Sequence, residues 1–472
     1  MPSETRREAL MLAATVAAAV AVFLSAAWPN AANTVDDAWI TVRCVDHLLA
    51  GHGPLYNDGE WVESFSDPAW LLMLAGGMRA GLDPLALMLA AGLAFGVATI
   101  VLAAALVSAI TGRLDHRSGL AALGVGASPH LAILATNGLE STMWTAAVAG
   151  ACLAATTGRG AWVVGLLPWV RPEGTFLAPL LGLVGAVRTR NRWLWTAQVV
   201  APWLALHGLR AVYFGTFMAN PVTAKAHFTD LPSLVASNAR YLARDGATWV
   251  VVALVAAGAV AAPPRRWDRA IPVAAALFLA GALVRAPEWM PGARVVAPLW
   301  VAGVVGAMTS ELSWLRVATV TAALGLAITP VATEARAYDW RNTAAPENAA
   351  ALAGRWLADH LPADSNVVMR DAGVLARALG TDVRVFEIYP APLTRRGPRP
   401  RLPEGRPAVL VTTVQGEEMV TSEYPTDKAM LERGRWRHLG RVEQHYRRYY
   451  DVWAAPGVDL PPLPEELTTP LP

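Results

Sequence analysis

The chain has 472 residues, of which 54% are hydrophobic and only 16% charged, with a formal net charge of +2. Apolar residues gathered in blocks close to bilayer-spanning length exclude an ordinary soluble globular protein. The small net charge gives no reason to expect a nucleic-acid partner, and two cysteines, Cys44 and Cys152, exclude iron–sulfur chemistry and a cysteine-rich zinc site.

The first apolar run, 11–28, follows Arg6 and Arg7, which place its N-terminus in the cytoplasm. It reads as a retained anchor rather than a cleaved signal peptide, because further spans follow. Next comes the loop 29–68, with Asp36, Asp37, Asp46, Asp58, Glu60, Glu63 and Asp67 among its acids. Residues 69–80 are too short to cross comfortably and contain Arg79, so they read as a helix at the outer interface. Residues 85–109 cross inward to Arg113 and Arg117, 119–135 return, and 139–156 cross again to Arg159. The stretch 161–187 is interrupted by Pro168 and by RPEG at 171–174. Two half-length segments meeting at RPEG keep Arg188, Arg190 and Arg192 inside, a broken arrangement that survives only where it is buried or lines a cavity.

Residues 193–207 then cross outward, 210–246 form a second external segment, and 248–262 return to the basic PPRRWDR. Three further runs, 270–284, 295–308 and 317–332, complete about eleven spans, with the arginines of the short turns on the cytoplasmic side. The predicted fold class is therefore an all-α polytopic membrane module over 1–332, followed by a small extracytoplasmic α/β domain over 333–472. In that tail, 347–362 is helix-like, 365–370, 383–388 and 408–413 are strand-like, 445–456 is basic and aromatic, and an unstructured end is expected from about 457.

Ionisable groups cluster on the outer side of this topology, which marks that side for function. Asp36-Asp37 precedes the helix-like AWITVRCVDHLLAGHG. One acid there could serve only as a helix N-cap. An adjacent pair can do more: one carboxylate as general base for a hydroxyl, the other binding a cation or the acceptor. Lys225, Arg294, Arg171 and Arg210 are candidates to hold a donor phosphate, against the plainer reading of side chains snorkelling to lipid head groups. Trp39, Arg43, His47, Glu140, Glu288 and Trp289 are candidates for sugar or acceptor. Packing competes for each tryptophan, and the spacing of His47 and His52 favours packing over a metal.

Five stretches carry a family likeness: DDAWITVRCVDHLLAGHGPLYNDGEWVESFSDPAW (36–70), TNGLES (136–141), VRPEG (170–174), LRAVYFGTFMANPVTAKA (209–226) and EWMPGARVVAPL (288–299). In order and spacing they resemble the GT-C superfamily of polyprenyl-phosphate-dependent glycosyltransferases, in the branch containing the mycobacterial terminal β-(1→2)-arabinofuranosyltransferase. The resemblance implies that an acid of the first external loop, Asp36 or Asp37 with Asp36 first, is the base or the metal-binding carboxylate. A divalent cation, Mg²⁺ or Mn²⁺, thus stays open as cofactor. It also implies that Lys225 and Arg294 bind phosphate, with Arg171 near the lipid entrance. The expected activity is transfer of a sugar, arabinofuranose by this branch, from a polyprenyl-phosphate-linked donor to a cell-envelope polysaccharide at the outer face of the inner (plasma) membrane. Two other readings stay open: an inactive relative serving envelope or motility assembly, and a lipid-linked sugar transporter. The chain departs from the branch at SFSDPAW, where relatives read GYTSPLW, so that Asp67 adds charge beside the site. It departs again at APEWMP, where relatives read GGDWMP.

Overall fold

The computed structural model describes residues 2–31, 34–226, 231–244, 275, 294, 296–328, 349–362, 365–370, 373–387, 408–415, 431, 435–445 and 448–468. The expected spans 248–262 and 270–284 lie outside the described residues, apart from residue 275. The chain opens with α1 (Pro2–Ala27), followed by α2 (Ala38–Leu49), α3 (Pro68–Arg79) and α4 (Pro84–Thr111). Then come α5 (His116–Gly126), α6 (Pro129–Leu134), α7 (Ser141–Thr157), α8 (Ala161–Gly165), α9 (Leu167–Val170) and α10 (Gly174–Ala186). Next are α11 (Arg192–Tyr213), α12 (Asn220–Ala226), α13 (Leu231–Arg244), α14 (Val296–Thr309) and α15 (Ser313–Ile328). The tail adds α16 (Ala349–His360) and α17 (Val374–Ala378) with five strands, β1 (Asn366–Met369), β2 (Arg384–Glu387), β3 (Val409–Gln415), β4 (Arg437–His445) and β5 (Arg448–Ala454).

Local chemistry sets several of these boundaries. The Asp83 carboxylate accepts from the Ala86 amide at 2.8 Å and Pro84 starts α4, while Gly112 ends it in the left-handed conformation (φ 71°). The expected single span 119–135 needs correction. Ser128 caps a new helix by accepting from the Leu131 amide at 3.3 Å, and Pro129 forces the residue before it out of helical geometry. The result is two short helices, α5 and α6. The interruption at RPEG is present: Arg171 is extended (φ −153°, ψ 151°) between α9 and α10. Close backbone approach holds the bundle together. A Cβ at Gly92 would overlap the Ala135 carbonyl oxygen, and one at Gly126 the Ala19 carbonyl oxygen.

Among the described residues, two helical stretches, Arg6–Asn30 and Pro84–Thr111, are long and apolar enough to cross a membrane. Gly174–Ala186 and Ala297–Thr309 are shorter apolar helices.

The tail strands pair in the order β2-β1-β3-β5-β4. Strand β1 runs parallel to both β2 and β3, with Val367 opposite Val385 and Val409, and α17 lies between β1 and β2 in the chain. Strands β3/β5 and β4/β5 are antiparallel. Strand β4 is not among the expected strands. Residues beyond 457 also differ from expectation: Leu460 and Leu463 are buried, and the Leu463 amide donates to the Leu439 carbonyl at 2.8 Å. Two leucines in a Pro-rich run are enough to seat it on the sheet.

Two apolar cores result. One unites α1, α4, α5, α7, α10, α11 and α14. The other is shared by α2, α3 and the first loop with the tail, joining Trp39, Val42, Leu55, Trp70 and Leu74 to Leu357, Val367, Val385, Val442 and Tyr450. The loop and the tail therefore bury one another.

Candidate active site

Asp37 stands at the N-cap position of α2 (φ −57°, ψ −26°), but its side chain makes no cap hydrogen bond there. Asp36 is buried, and its carboxylate reaches the tail: Oδ2 accepts from the Gly373 amide and Oδ1 from the Val374 amide, each at 2.9 Å. Seven residues on, inside α2, is Arg43. Its Nε donates to the Tyr56 carbonyl (3.0 Å), Nη1 to the carbonyls of Ala376 and Gly380 (2.7 Å to Gly380), and Nη2 to that of Val383 (2.8 Å). Burial pushes its pKa down, and the neighbouring Tyr56, Cys44 and Asp46 oppose the shift. Asp46 pairs with Arg377 at 2.9 Å, and the Asn57 amide exchanges hydrogen bonds with the backbone of Val385 (2.9 and 3.0 Å).

Trp39 is 1% exposed, with the Arg377 guanidinium 4.9 Å from its ring centroid. Its indole N–H has no hydrogen-bond partner. His47 is fully buried, both ring nitrogens lack hydrogen-bond partners, and the His52 ring meets it edge-on at 5.8 Å. Burial pulls its pKa down to about 4, aided by Arg43 and His52 and opposed by Asp58 and Asp382. A histidine kept neutral by the fold stabilises it fully above the ordinary pKa of 6.5. That contribution falls as the pH drops through the window to about 4, because the unfolded chain takes up the proton first. Over this window the fold should lose roughly 3 kcal/mol, and His47→Leu should flatten the slope. Denaturation measured at pH 7.5 and 4.5 on both proteins checks this, and equal slopes would remove His47 as the cause.

A second group joins the first loop to α11. Arg210 Nε donates to both carboxylate oxygens of Glu63 (2.9 and 2.8 Å) and Nη2 to one of them (2.8 Å), with both side chains 1% exposed. Burial raises the Glu63 carboxyl pKa, and Arg210 opposes the rise. The remaining nitrogen, Arg210 Nη1, is buried without a hydrogen-bond partner. Beside this pair the Asn220 amide donates to the Glu63 carbonyl at 3.2 Å, which brings the start of α12 to the loop.

The third group is Glu140–Arg171–Glu173. Arg171 binds Glu140 through Nη1 and Glu173 through Nε (3.1 Å) and Nη2 (2.9 Å). The extended backbone at Arg171 permits this, since a helical residue would point its side chain along the helix face. Asp67, 3% exposed, is held well above the usual carboxylate range by burial first and by Glu140 next, with Arg171 opposing.

The structure thus brings Asp36, Asp37, Trp39, Arg43 and His47 onto one loop–tail junction, and ties Arg210 and Arg171 into ion pairs with glutamates. Lys225 is next to last on α12, at the end away from the Asn220 contact with Glu63, and its side chain is not among those described. Arg294 is half-buried in a turn ahead of α14, while Glu288 and Trp289 lie outside the described residues. Both oxygens of Asp36 already accept amide hydrogens, and no cluster of three His, Cys, Asp or Glu suited to a metal occurs among the described residues. Sequence reasoning missed Asn57, Gly373 and the Glu63–Arg210 pair. Nothing in the sequence links positions 147 or more residues apart.

No family model matches the chain. Its fold is shared with the solved structures of ArnT and AglB. ArnT from Cupriavidus metallidurans superposes with a TM-score of 0.57 at 13% identity, over 98% of this chain and 99% of that one, both apo and bound to undecaprenyl phosphate. The archaeal oligosaccharyltransferase AglB from Archaeoglobus fulgidus, in complex with an inhibitory peptide and a dolichol-phosphate, gives a TM-score of 0.56 at 12% identity, over 96% and 75% of the two chains. In sequence, the chain is similar to the terminal β-(1→2)-arabinofuranosyltransferase of Mycobacterium tuberculosis, with 40% identity over 116 residues. That match spans 22% of this chain and 18% of the relative's length.

Proposed function

We propose that this chain transfers a sugar from a polyprenyl-phosphate donor to a cell-envelope glycan at the outer face of the inner membrane, with the tail domain on that face and about eleven spans beneath it. The observation that carries the reading is end-to-end likeness to ArnT, a fold also solved with undecaprenyl phosphate bound, combined with a first loop that concentrates carboxylates beside basic residues. In the step itself the acceptor oxygen bonds to the anomeric carbon, the bond from that carbon to the phosphate oxygen breaks, and polyprenyl phosphate leaves. The acceptor proton passes to a carboxylate of the Asp36–Asp37 pair. Lys225 and Arg294 neutralise the leaving phosphate. Arg43 and Trp39, buried against the tail, serve this chemistry by holding the loop. Arabinofuranose is the sugar proposed, on the local identity to the mycobacterial enzyme.

The test is incubation of the purified protein with a panel of polyprenyl-phosphate sugars and with arabinan and other envelope glycans. Transfer of arabinose to arabinan is the expected result. Transfer from a hexose donor alone would discard the pentose, and binding of lipid-linked sugar without transfer to any acceptor would discard the enzyme.

A further inference from the structure

We propose that the tail domain is a working part of the acidic site, with the Gly373 and Val374 amides and Arg43 as positioning groups that orient the Asp36 carboxylate. This rests on the reading of the Asp36–Asp37 pair as the base. Helix α17 is held along its length by one stretch of the first loop: its leading amides bond Asp36, and the carbonyls of Ala376 in its middle and Gly380 just past its end bond Arg43. An amide on each oxygen fixes the plane of the carboxylate, which then turns only by breaking both bonds. The approach is close enough that a Cβ at Gly373 would overlap the Asp36 carbonyl oxygen and carboxylate. Glycine is therefore the residue that this contact admits.

These two amides are not what docks the tail. The shared apolar core, the reciprocal Asn57–Val385 bonds and the Asp46–Arg377 pair join the same surfaces without them. The contact with Asp36 is thus separable from docking, and positioning groups of this kind act on the geometry of a reacting group.

The experiment compares Gly373→Ala with the parent in the full-length protein, reading kcat, donor KM and hydrogen exchange of β2. Misplacing Asp36 should lower kcat by about 10²-fold, with donor KM and the protection of 384–387 unchanged. Asp451→Asn breaks the paired bonds from Arg441 within the tail sheet, at 2.8 Å each. It should loosen the tail and leave kcat at the parent value, whereas a merely structural role for Gly373 would lower kcat alike in both variants. Arg43→Lys keeps the charge and should show the same signature, a kcat loss without a KM change, but a smaller one than Arg43→Gln. Parent kcat in Gly373→Ala with the tail docked would overturn the proposal, as would a kcat loss in Asp451→Asn equal to that in Gly373→Ala. If the parent transfers no sugar from any donor, the functional reading fails and hydrogen exchange still decides the contact. The amides of 373 and 374 should be protected in the parent and released selectively by Asp36→Ala, which removes both acceptors, and fast exchange in the parent would end the inference.

Discussion

Asp36→Asn and Asp37→Asn, assayed in parallel, should between them identify the residue without which transfer stops, with turnover reduced by roughly 10²–10⁴-fold. The structure sharpens what each substitution does. At Asp36 an asparagine can accept from one of the two tail amides, but its own NH₂ then faces the other. The variant should thus lose orientation as well as charge. Asp37 makes no cap hydrogen bond on α2 and is only half-buried, so its asparagine variant removes charge with little cost to the helix. A loss confined to Asp37→Asn would assign the proton to Asp37 and leave Asp36 as the tail's anchor. Parent turnover in both single variants and in the double variant would clear this loop of catalysis. Single-turnover rates on protein of unchanged donor affinity are the measurement that separates these outcomes.

The largest effect on stability should come from Glu63→Gln. It leaves the Arg210 guanidinium buried at 1% exposure without its counter-charge, with one of its nitrogens already unsatisfied. Breaking such a pair typically costs about 3–5 kcal/mol, because the remaining ion keeps its desolvation penalty. A lower midpoint of thermal unfolding in detergent is expected, with Arg210→Met equally damaging. The double variant Glu63→Leu/Arg210→Met should recover most of the loss, since an apolar pair of similar volume carries no unpaid charge. If Glu63→Gln melts with the parent, the pair is solvated in solution and does not brace α11 against the loop.

What the sequence made legible follows from the range over which each signal acts. Helical segments with local start and stop signals, such as α4 between Asp83 and Gly112, are readable within a turn or two of their ends. The break at RPEG was legible because Pro168 and Gly174 sit within one apolar run. The break at Ser128-Pro129 was passed over because the apolar run continues across it, although a capping serine before a proline is a helix-start signal. In the tail, β1, β2 and β3 announce themselves as apolar runs, while β4 alternates charged residues with Leu439 and Val442 and earns its place only by pairing with β5. For the candidate site, residue types were readable and partners were not. Arg43 looks like a ligand-binding arginine until its carbonyl partners are known, three of them more than 330 residues away.

That separation has a consequence for how the protein comes into being. Strand β2 is at the edge of the tail sheet, and Asn57, made 328 residues earlier, is what meets its outer backbone at Val385. At typical synthesis rates the ribosome needs on the order of half a minute to travel between them. Throughout that interval the loop has only half of its apolar core, and a chain stalled before Gly373 never supplies the rest. The loop is therefore completed by residues made more than 300 positions after it, and a nascent or truncated product lacking them would carry its carboxylates on an unset loop. The order of synthesis thus acts as a safeguard: the acidic loop is not set until the sheet that completes its core has been made.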